Sequence, residues 1–270
     1  MKSNIYHSIM IKDITNDMVK TKIVVSGWVQ NIRDHGGVLF LDLRDTTGVL
    51  QTVSNDDEMF KGLARESVVK LEGTLRKRDK DTINEKLKSG EVELLVEKLE
   101  ILGTSLHELP FEIISSKQVQ EDIRLKYRYL DMRNDKVKSN ILLRSEILHY
   151  LRNKMYDLGF TEVQTPILTA SSPEGARDFV VPSRNFKGRF YALPQAPQIY
   201  KELLMVGGID KYFQVAPCFR DEDARRDRTL EFYQLDLEMS FITEEEILEL
   251  GENIFYDVFT KYSDKEVSKK

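Results

Sequence analysis

The stretch that most constrains the fold runs from residue 212 to 238, YFQVAPCFRDEDARRDRTLEFYQLDLE. Two aromatic-rich apolar runs flank a loop dense in charge. Tyr212 to Phe219 reads as one strand and Phe232 to Phe241 as another. The hairpin loop between them holds arginines and acids in close succession from Arg220 to Arg228. A loop this polar is either solvated or grips a polyanion. On the second strand Phe232, Gln234, Asp236 and Glu238 alternate with Tyr233, Leu235 and Leu237. One sheet face therefore carries an aromatic ring, an amide and two carboxylates. A buried sheet face does not normally carry such groups without ligands or partners.

The pattern of FRDE, a basic loop and EFYQLDLE resembles motif 2 of the class II aminoacyl-tRNA synthetases. More narrowly it is similar to the bacterial-type aspartyl-tRNA synthetases, and other stretches extend the resemblance over nearly the whole chain. It implies an all-β OB-fold barrel at residues 1–105 that reads the anticodon and a hinge at 106–134. A class II catalytic domain of α+β type with an antiparallel sheet, in truncated form, would follow at 135–270.

Composition sets outer bounds. The 270 residues are 41% hydrophobic and 31% charged, which suits one or two globular domains. No run approaches the roughly 18 apolar residues of a membrane span, and the N-terminus MKSNIYHSIMIKD lacks the apolar core of a signal peptide. Cys218 is the one cysteine, so no disulfide framework is expected and a cytoplasmic setting is. His7, His35, His107 and His149 show no metal-ligand spacing. With a net charge of −5, contact with nucleic acid has to come from local patches, for which 76–80 (RKRDK) and 225–228 (RRDR) are the candidates.

In the first hundred residues alternation predicts strands at about 21–30, 37–44, 48–54, 67–76 and 91–102, with a helix near 56–65. His35-Gly36-Gly37 is a hairpin signal. Five strands with a helix between the third and fourth is the layout of an OB-fold, although other small barrels share it. OB-folds stack bases on aromatics and track phosphates with cations. Phe40, Gln51, Arg33, Arg76 and Arg78 are the candidate groups, and core packing is the competing role for Phe40. The resemblance implies that Phe40 stacks on the central anticodon base, while Arg33, Gln51, Arg78 and Glu93 bond base edges or backbone. In GWVQNIRDHGGVLFLDLRD, Asn31 and Ile32 stand where the family leads one to expect arginines.

The connector contains EDIRLKYRYLDMRN, with Arg124, Lys126, Arg128 and Arg133 among aromatic residues. An ordinary solvated helix fits it. The resemblance implies a hinge whose basic residues face tRNA or a second subunit.

The clearest helix is 135–158, with Val137, Ile141, Leu148, Leu151, Met155 and Leu158 on one stripe and Gly159 as its stop. A strand at 160–166, ended by Pro166, follows. This pair resembles motif 1 and implies a homodimer interface, although helix-then-strand also describes plain core. The loop 171–183, SSPEGARDFVVPS, holds Pro173, Glu174, Gly175, Arg177 and Asp178. It reads as a surface turn or, by the resemblance, as a mobile loop that closes over the amino acid with Glu174 toward the substrate ammonium. A helix from about Pro197 puts Gln198 and Lys201 on one face. A final helix is expected at 243–261.

Taken with the family, these residues describe a pocket for L-aspartate. Glu174, Gln198 and Asp236 serve the ammonium, and Lys201 pairs with the side-chain carboxylate. An asparagine amide would not offset that lysine's desolvation. The implied reaction joins aspartate to ATP as aspartyl-adenylate and passes the aspartyl group to the 3′ end of tRNA, with Mg²⁺ on the phosphates. Arg220 binds the α-phosphate and the substrate and carries the catalytic charge stabilisation. Glu222 holds the nucleotide, Phe232 stacks on adenine, and Gln234 touches ATP or substrate. Arg225, Arg226 and Arg228 meet the acceptor stem of an aspartate tRNA and, by extension, an asparagine tRNA. Thr229 and Leu230 depart from the family's usual loop. Motif 3 and every metal-binding carboxylate are expected beyond residue 270, leaving about half an active site. The competing reading is a non-catalytic tRNA-binding or assembly module.

Overall fold

The computed structural model describes residues 3–268 apart from 36, 37, 57, 86, 106, 107, 173 and 226, and apart from the side chain of His35. Of the residues singled out above, Arg226, Pro173, His107, Gly36 and Gly37 lie outside the described residues. The chain divides into two compact units, Met1–Glu112 and Ile113–Lys270.

The first unit is a closed barrel of β1 (Lys22–His35), β2 (Val38–Arg44), β3 (Val49–Ser54), β4 (Val68–Lys77) and β5 (Val92–Gly103), in the order β1-β2-β3-β5-β4. Four pairings are antiparallel, and the barrel closes through a short parallel one, Thr52 with Leu94 and Val53 with Leu95. Two glycines let the strands curl. A Cβ on Gly27 would stand 2.3 Å from the Arg44 carbonyl oxygen, and one on Gly73 would stand 2.1 Å from that of Leu95. The register of β1 and β2 slips at Val29–Asn31, and that of β4 and β5 at Glu72–Gly73. Inside, Val25, Val29, Leu41, Leu43, Leu50, Leu71 and Leu94 are fully enclosed.

The helix expected at 56–65 does not form. The segment is a run of turns. The Asp56 carboxylate accepts from the Glu58 amide at 3.0 Å, and Gly62 adopts φ +76°, which no helix continues. Phe60, 1% exposed, pins the turns to the barrel core. The segment ends at Glu66, held at φ +65° by a buried two-pronged ion pair with Arg44, 2.7 and 2.9 Å.

The second unit opens with two short helices, α1 (Glu121–Lys126) and α2 (Arg128–Asp131). Asp131, with no exposed surface, accepts from Ser116 Oγ at 2.8 Å, from Arg124 Nε at 3.1 Å and from Arg128 at 2.6 Å. Burial works against its charged form. The bonds from Arg124 and Ser116 outweigh burial, so the carboxyl sits below the usual carboxylate range. Arg124 and Arg128, read from sequence as outward-facing, are thus drawn onto a carboxylate within their own turn.

Helix α3 (Asp135–Asp157) begins at an Asn134 cap that accepts from the Lys136 amide, and it stops before Gly159 at φ +80°. Its expected apolar stripe is buried at both ends only. Val137 and Met155 are enclosed, but Ile141 is 46% exposed and Leu142 53%. Strand β6 is two residues long, Thr161–Glu162, against the seven expected. Past it the chain stays beside its neighbour by one backbone bond, Val163 to the Phe213 carbonyl, and by the Gln214 amide on Thr165. A separate two-stranded ribbon, β7 (Val180–Pro182) and β8 (Phe190–Ala192), precedes α4 (Gln198–Val206).

The centre of the unit is the hairpin of β9 (Lys211–Phe219) and β10 (Glu231–Met239), antiparallel in unbroken register, with β6 added in parallel to β9. Strand β10 ends two residues before the expected Phe241, which turns to φ +54° in solvent. Helix α5 (Glu244–Tyr262) starts at a reciprocal cap between Thr243 and Glu246. Met155, Phe160, Phe213 and Ile254 form the core beneath the sheet.

Candidate functional site

In each unit a sheet face gathers polar groups. In the barrel, Arg33 on β1, Phe40 on β2, Gln51 on β3, Arg76 on β4, Glu93 on β5 and Arg78 just past β4 line one cleft of about 500 Å³. All five residues expected to read an anticodon, Arg33, Phe40, Gln51, Arg78 and Glu93, are therefore brought together. Strand register does this, setting Arg33 opposite Phe40 and Arg76 opposite Glu93.

A hydrogen-bonded chain crosses the floor of this cleft. Asp42 accepts from Arg33 at 2.7 Å, Arg33 reaches the Gln51 carbonyl at 3.4 Å, Gln51 donates to Glu93 at 2.7 Å, and Arg76 closes on Glu93 at 2.7 Å. Burial pushes the Asp42 carboxyl up, with Arg33 and Arg78 pulling the other way. Arg78 Nε is buried and has no partner. A cleft with a ring, fixed amides and a donor held dry without an acceptor is built to receive one. Asp42 went unread from sequence as part of this site. Its signal was its place two residues after Phe40, on the same strand face.

In the second unit the β9/β10 register fixes the site. Phe232 pairs with Cys218, Gln234 with Ala216, Asp236 with Gln214, and Glu238 with Tyr212. Paired residues share a face, so Tyr212, Gln214, Ala216 and Cys218, each at most 4% exposed, are the neighbours of the expected binding groups. Burial pushes the Cys218 thiol up to about 11, with the Asp236 charge adding and Arg220 opposing. The protonated thiol lies 3.2 Å from Gln234 Oε1 and 3.7 Å from the Ala216 carbonyl, so it can donate to that amide and favour its orientation.

At one end of this face the Arg220 guanidinium lies over the Phe232 ring, 5.0 Å from its centroid. The backbone amide of Arg220 bonds the Leu230 carbonyl at 2.9 Å, which closes the loop between the strands. Glu222, Arg225 and Arg228 stand exposed on that loop, where Arg225 and Arg228 bond each other only through backbone. At the other end Lys201, from α4, places its ammonium 3.1 Å from Asp236 Oδ1 and 3.2 Å from Glu238 Oε2. Burial pulls against the Lys201 charge, but these two carboxylates outweigh it and hold the ammonium firmly protonated. Asp236 Oδ2 and the Tyr212 hydroxyl are both buried, and neither meets a partner at full hydrogen-bond geometry, although the Asp236 carboxylate lies close enough to the phenol to hold its proton. Burial and the nearby Asp236 charge together keep the Tyr212 phenol protonated.

The structure joins Lys201 to Asp236, which the sequence reading had assigned to different parts of a substrate. Gln198 does not join them: its amide donates to Glu202 at 2.6 Å, along its own helix. Glu174 accepts from Ser172 at 3.1 Å. The 171–178 loop is tied down by Gln195, which is 3% exposed. Gln195 Nε2 donates to the Ala176 carbonyl at 2.9 Å and to Asp178, and Oε1 accepts from the Ala176 amide at 3.0 Å. A further backbone bond, from Asp221 to the Arg177 carbonyl at 3.0 Å, links this loop to the β9/β10 loop. Gln195 and Glu238 are the residues that sequence reasoning missed here. Gln195 had only its place between Pro194 and Pro197 as a signal, and Glu238 was placed on the face without a role.

Among the described residues no group of three or more His, Cys, Asp or Glu side chains could hold a metal ion. No helix among them is long and apolar enough to cross a membrane.

A family model described as tRNA synthetases class II (D, K and N) matches residues 120–270, and one described as an OB-fold nucleic acid binding domain matches residues 23–102. The chain is 50% identical over 273 residues to the aspartate–tRNA(Asp/Asn) ligase of Ehrlichia ruminantium (strain Welgevonden), covering 99% of this chain and 46% of that protein. It is 54% identical over 256 residues to the protein of the same name from Rickettsia akari (strain Hartford), covering 93% and 42%. Among solved structures it resembles the asparaginyl-tRNA synthetase of Pyrococcus horikoshii complexed with asparaginyl-adenylate, with a TM-score of 0.82 at 26% identity over 94% of this chain and 57% of the other. It also resembles a putative aspartyl-tRNA synthetase from Leishmania major Friedlin, at 0.81 and 26% over 91% and 50%. The chain spans about half the length of the curated relatives it matches, 46% of the Ehrlichia protein.

Proposed function

The chain belongs to the class II tRNA synthetases of the D, K and N group, and from that premise we propose that it is the anticodon-reading and amino-acid-activating portion of an aspartate–tRNA ligase. The observation that carries this reading is Lys201 held 3.1 Å from Asp236 on the same strand face as the Arg220–Phe232 stack. Phe232 and Asp236 are four residues apart, so the two features lie about 13 Å from each other along β10. That span suits an aminoacyl-adenylate laid along the strand, with adenine at Phe232 and the amino acid at Lys201.

In this reading the aspartate side-chain carboxylate pairs with the Lys201 ammonium. The substrate ammonium lies toward Glu174 and Asp236, whose Oδ1 is taken by Lys201 and whose buried Oδ2 is not. An asparagine amide gives Lys201 no countercharge, which sets specificity. The α-carboxylate is the nucleophile: it attacks the α-phosphorus of ATP, the bond to pyrophosphate breaks, and an acyl-phosphate anhydride forms. The 3′-terminal hydroxyl of tRNA then attacks the acyl carbonyl and AMP leaves. Arg220 stabilises the charge that builds on the α-phosphate oxygens, and Gln234, oriented by Cys218, faces the bound groups. Positioning and charge stabilisation by side chains are the part this portion plays, with Mg²⁺ neutralising charge on the ATP phosphates.

The barrel cleft takes the anticodon, with Phe40 as the stacking platform and Arg33, Gln51, Arg78 and Glu93 as readers. Arg225, Arg226 and Arg228 meet the acceptor stem. The printed names of the relatives support both aspartate and asparagine tRNA as partners. The bare middle of α3 supports a homodimer, and the cytoplasm, where tRNA is charged, is the expected compartment.

Aspartate-dependent exchange of pyrophosphate into ATP tests this, with asparagine in parallel and Arg220→Ala as control. Exchange with aspartate alone, lost in the control, is the expected result. The barrel cleft gathers all five expected anticodon readers, which favours a second reading, a tRNA-binding module without catalysis. Retained tRNA binding with no exchange would select it.

A further inference from the structure

Lys201 already has more anionic partners than it needs. An ammonium has three hydrogens, and two are directed at Asp236 Oδ1 and Glu238 Oε2, at 3.1 and 3.2 Å. One positive charge faces two negative ones, and the lysine side chain is only 12% exposed. A third carboxylate brought to this ammonium by a ligand meets a cluster that is already net negative, in a setting that screens charge poorly.

The two resident carboxylates differ. Asp236 is 9% exposed, sits in the middle of β10 opposite Gln214, and rides on a short side chain. Glu238 is 31% exposed, lies one residue from the end of β10 opposite Tyr212, and has one more rotatable bond. Asp236 is built in, whereas Glu238 has both the solvent access and the reach to leave. Its terminal carboxylate is also the same chemical group that an acidic amino acid presents.

We infer that Glu238 is an internal occupant of the substrate-carboxylate position on Lys201, displaced when an acidic amino acid binds. The inference rests on the aspartate reading of this site. It makes Glu238 a specificity-determining residue of an unexpected sort. Glu238 lowers affinity for the acidic substrate, and in the empty site it keeps the buried lysine paired. A neutral side chain such as that of asparagine does not compete for the ammonium, so Glu238 has little effect on its binding. Asp236 stays in place throughout and keeps Lys201 aimed at the ligand.

Calorimetric titration of L-aspartate and L-asparagine into the full 270-residue chain, compared with Glu238→Gln, tests this. Glu238→Ala is run beside it, because a glutamine oxygen can still accept from Lys201. Both substitutions are expected to tighten aspartate by about 3- to 10-fold, as for loss of a competing, partly exposed ion pair, and to leave asparagine and ATP unchanged. Aspartate binding that is unchanged or weaker in both variants overturns the inference and makes Glu238 a support for Lys201. Equal tightening of both amino acids overturns it too, by showing a general loosening of the pocket. No aspartate binding in any of the three chains overturns the aspartate reading, and this inference with it.

Discussion

Arg220 and Phe232 face each other across the mouth of the β9/β10 hairpin, guanidinium over ring at 5.0 Å. In the proposed reading this ring also serves the planar adenine. Replacing Phe232 by leucine keeps the apolar bulk and removes the π-face. The expected result is ATP binding weakened by about 5-fold or more, as for loss of a stacking and cation–π partner, with aspartate binding unchanged. Titration of each ligand separately checks it. An equal loss for both ligands would mean that the substitution disturbed the hairpin itself.

Asp131 organises the turn before α3 through Ser116, Arg124 and Arg128. Asp131→Asn keeps the shape and removes the charge, and is expected to cost about 2–4 kcal/mol, near the range for breaking a buried pair. The native carboxyl is held below its usual range, so its charge stabilises the fold above the unfolded-state pKa of about 3.9. That contribution is lost as pH falls through the lower, folded-state value. Urea unfolding of wild type and variant should therefore show a gap that is full at pH 6 and narrows below about pH 4.

Gln195 holds the 171–178 loop by both ends of its amide. Gln195→Ala strands the partly buried Ala176 amide and carbonyl, at a cost of about 1 kcal/mol. Hydrogen exchange at Ala176 should speed up, and aspartate affinity should fall because the loop that carries Glu174 loses its anchor at Ala176. Unchanged exchange at Ala176 would show that the loop is fixed by something else.

Two separable effects on RNA are expected of the barrel cleft. Phe40→Ala should weaken binding of an anticodon stem-loop by about 5- to 100-fold, the range for losing one stacked base. Arg78→Ala should lower the slope of log affinity against log salt by about one. Salt-dependent filter binding measures both. A large effect of Phe40→Ala on barrel stability with no change in RNA affinity would return this ring to the competing role of core packing.

Period-2 alternation was enough to place the barrel strands and the β9/β10 hairpin to within a few residues, because burial on one face leaves the strongest mark a sequence carries. The same pattern put Phe232, Gln234, Asp236 and Glu238 on one face. What alternation does not encode is the partner. Gln195, Glu238 and Asp42 take their partners from groups on other elements, and their own neighbourhoods carried only faint signals: a place between two prolines, or a shared strand face. The helix at 56–65 was misread because one anchored side chain, Phe60, does the work of an amphipathic face while Gly62 turns the chain. Arg124 and Arg128 looked free because the carboxylate that gathers them, Asp131, lies seven and three residues away at the end of α2, past a break at Tyr127 that the sequence does not show.

The burial of Cys218 gives the molecule a built-in clock. It is the only thiol in the chain, it has no exposed surface, and its proton is held up to a pKa of about 11. A thiol reagent at neutral pH can react with it only after β9 separates from its surroundings and the proton becomes easy to lose. The rate of modification of the native chain therefore counts openings of the hairpin that carries Arg220 and Asp236, with no label introduced. Any ligand that lies along β10 should slow that count, whether or not it is turned over.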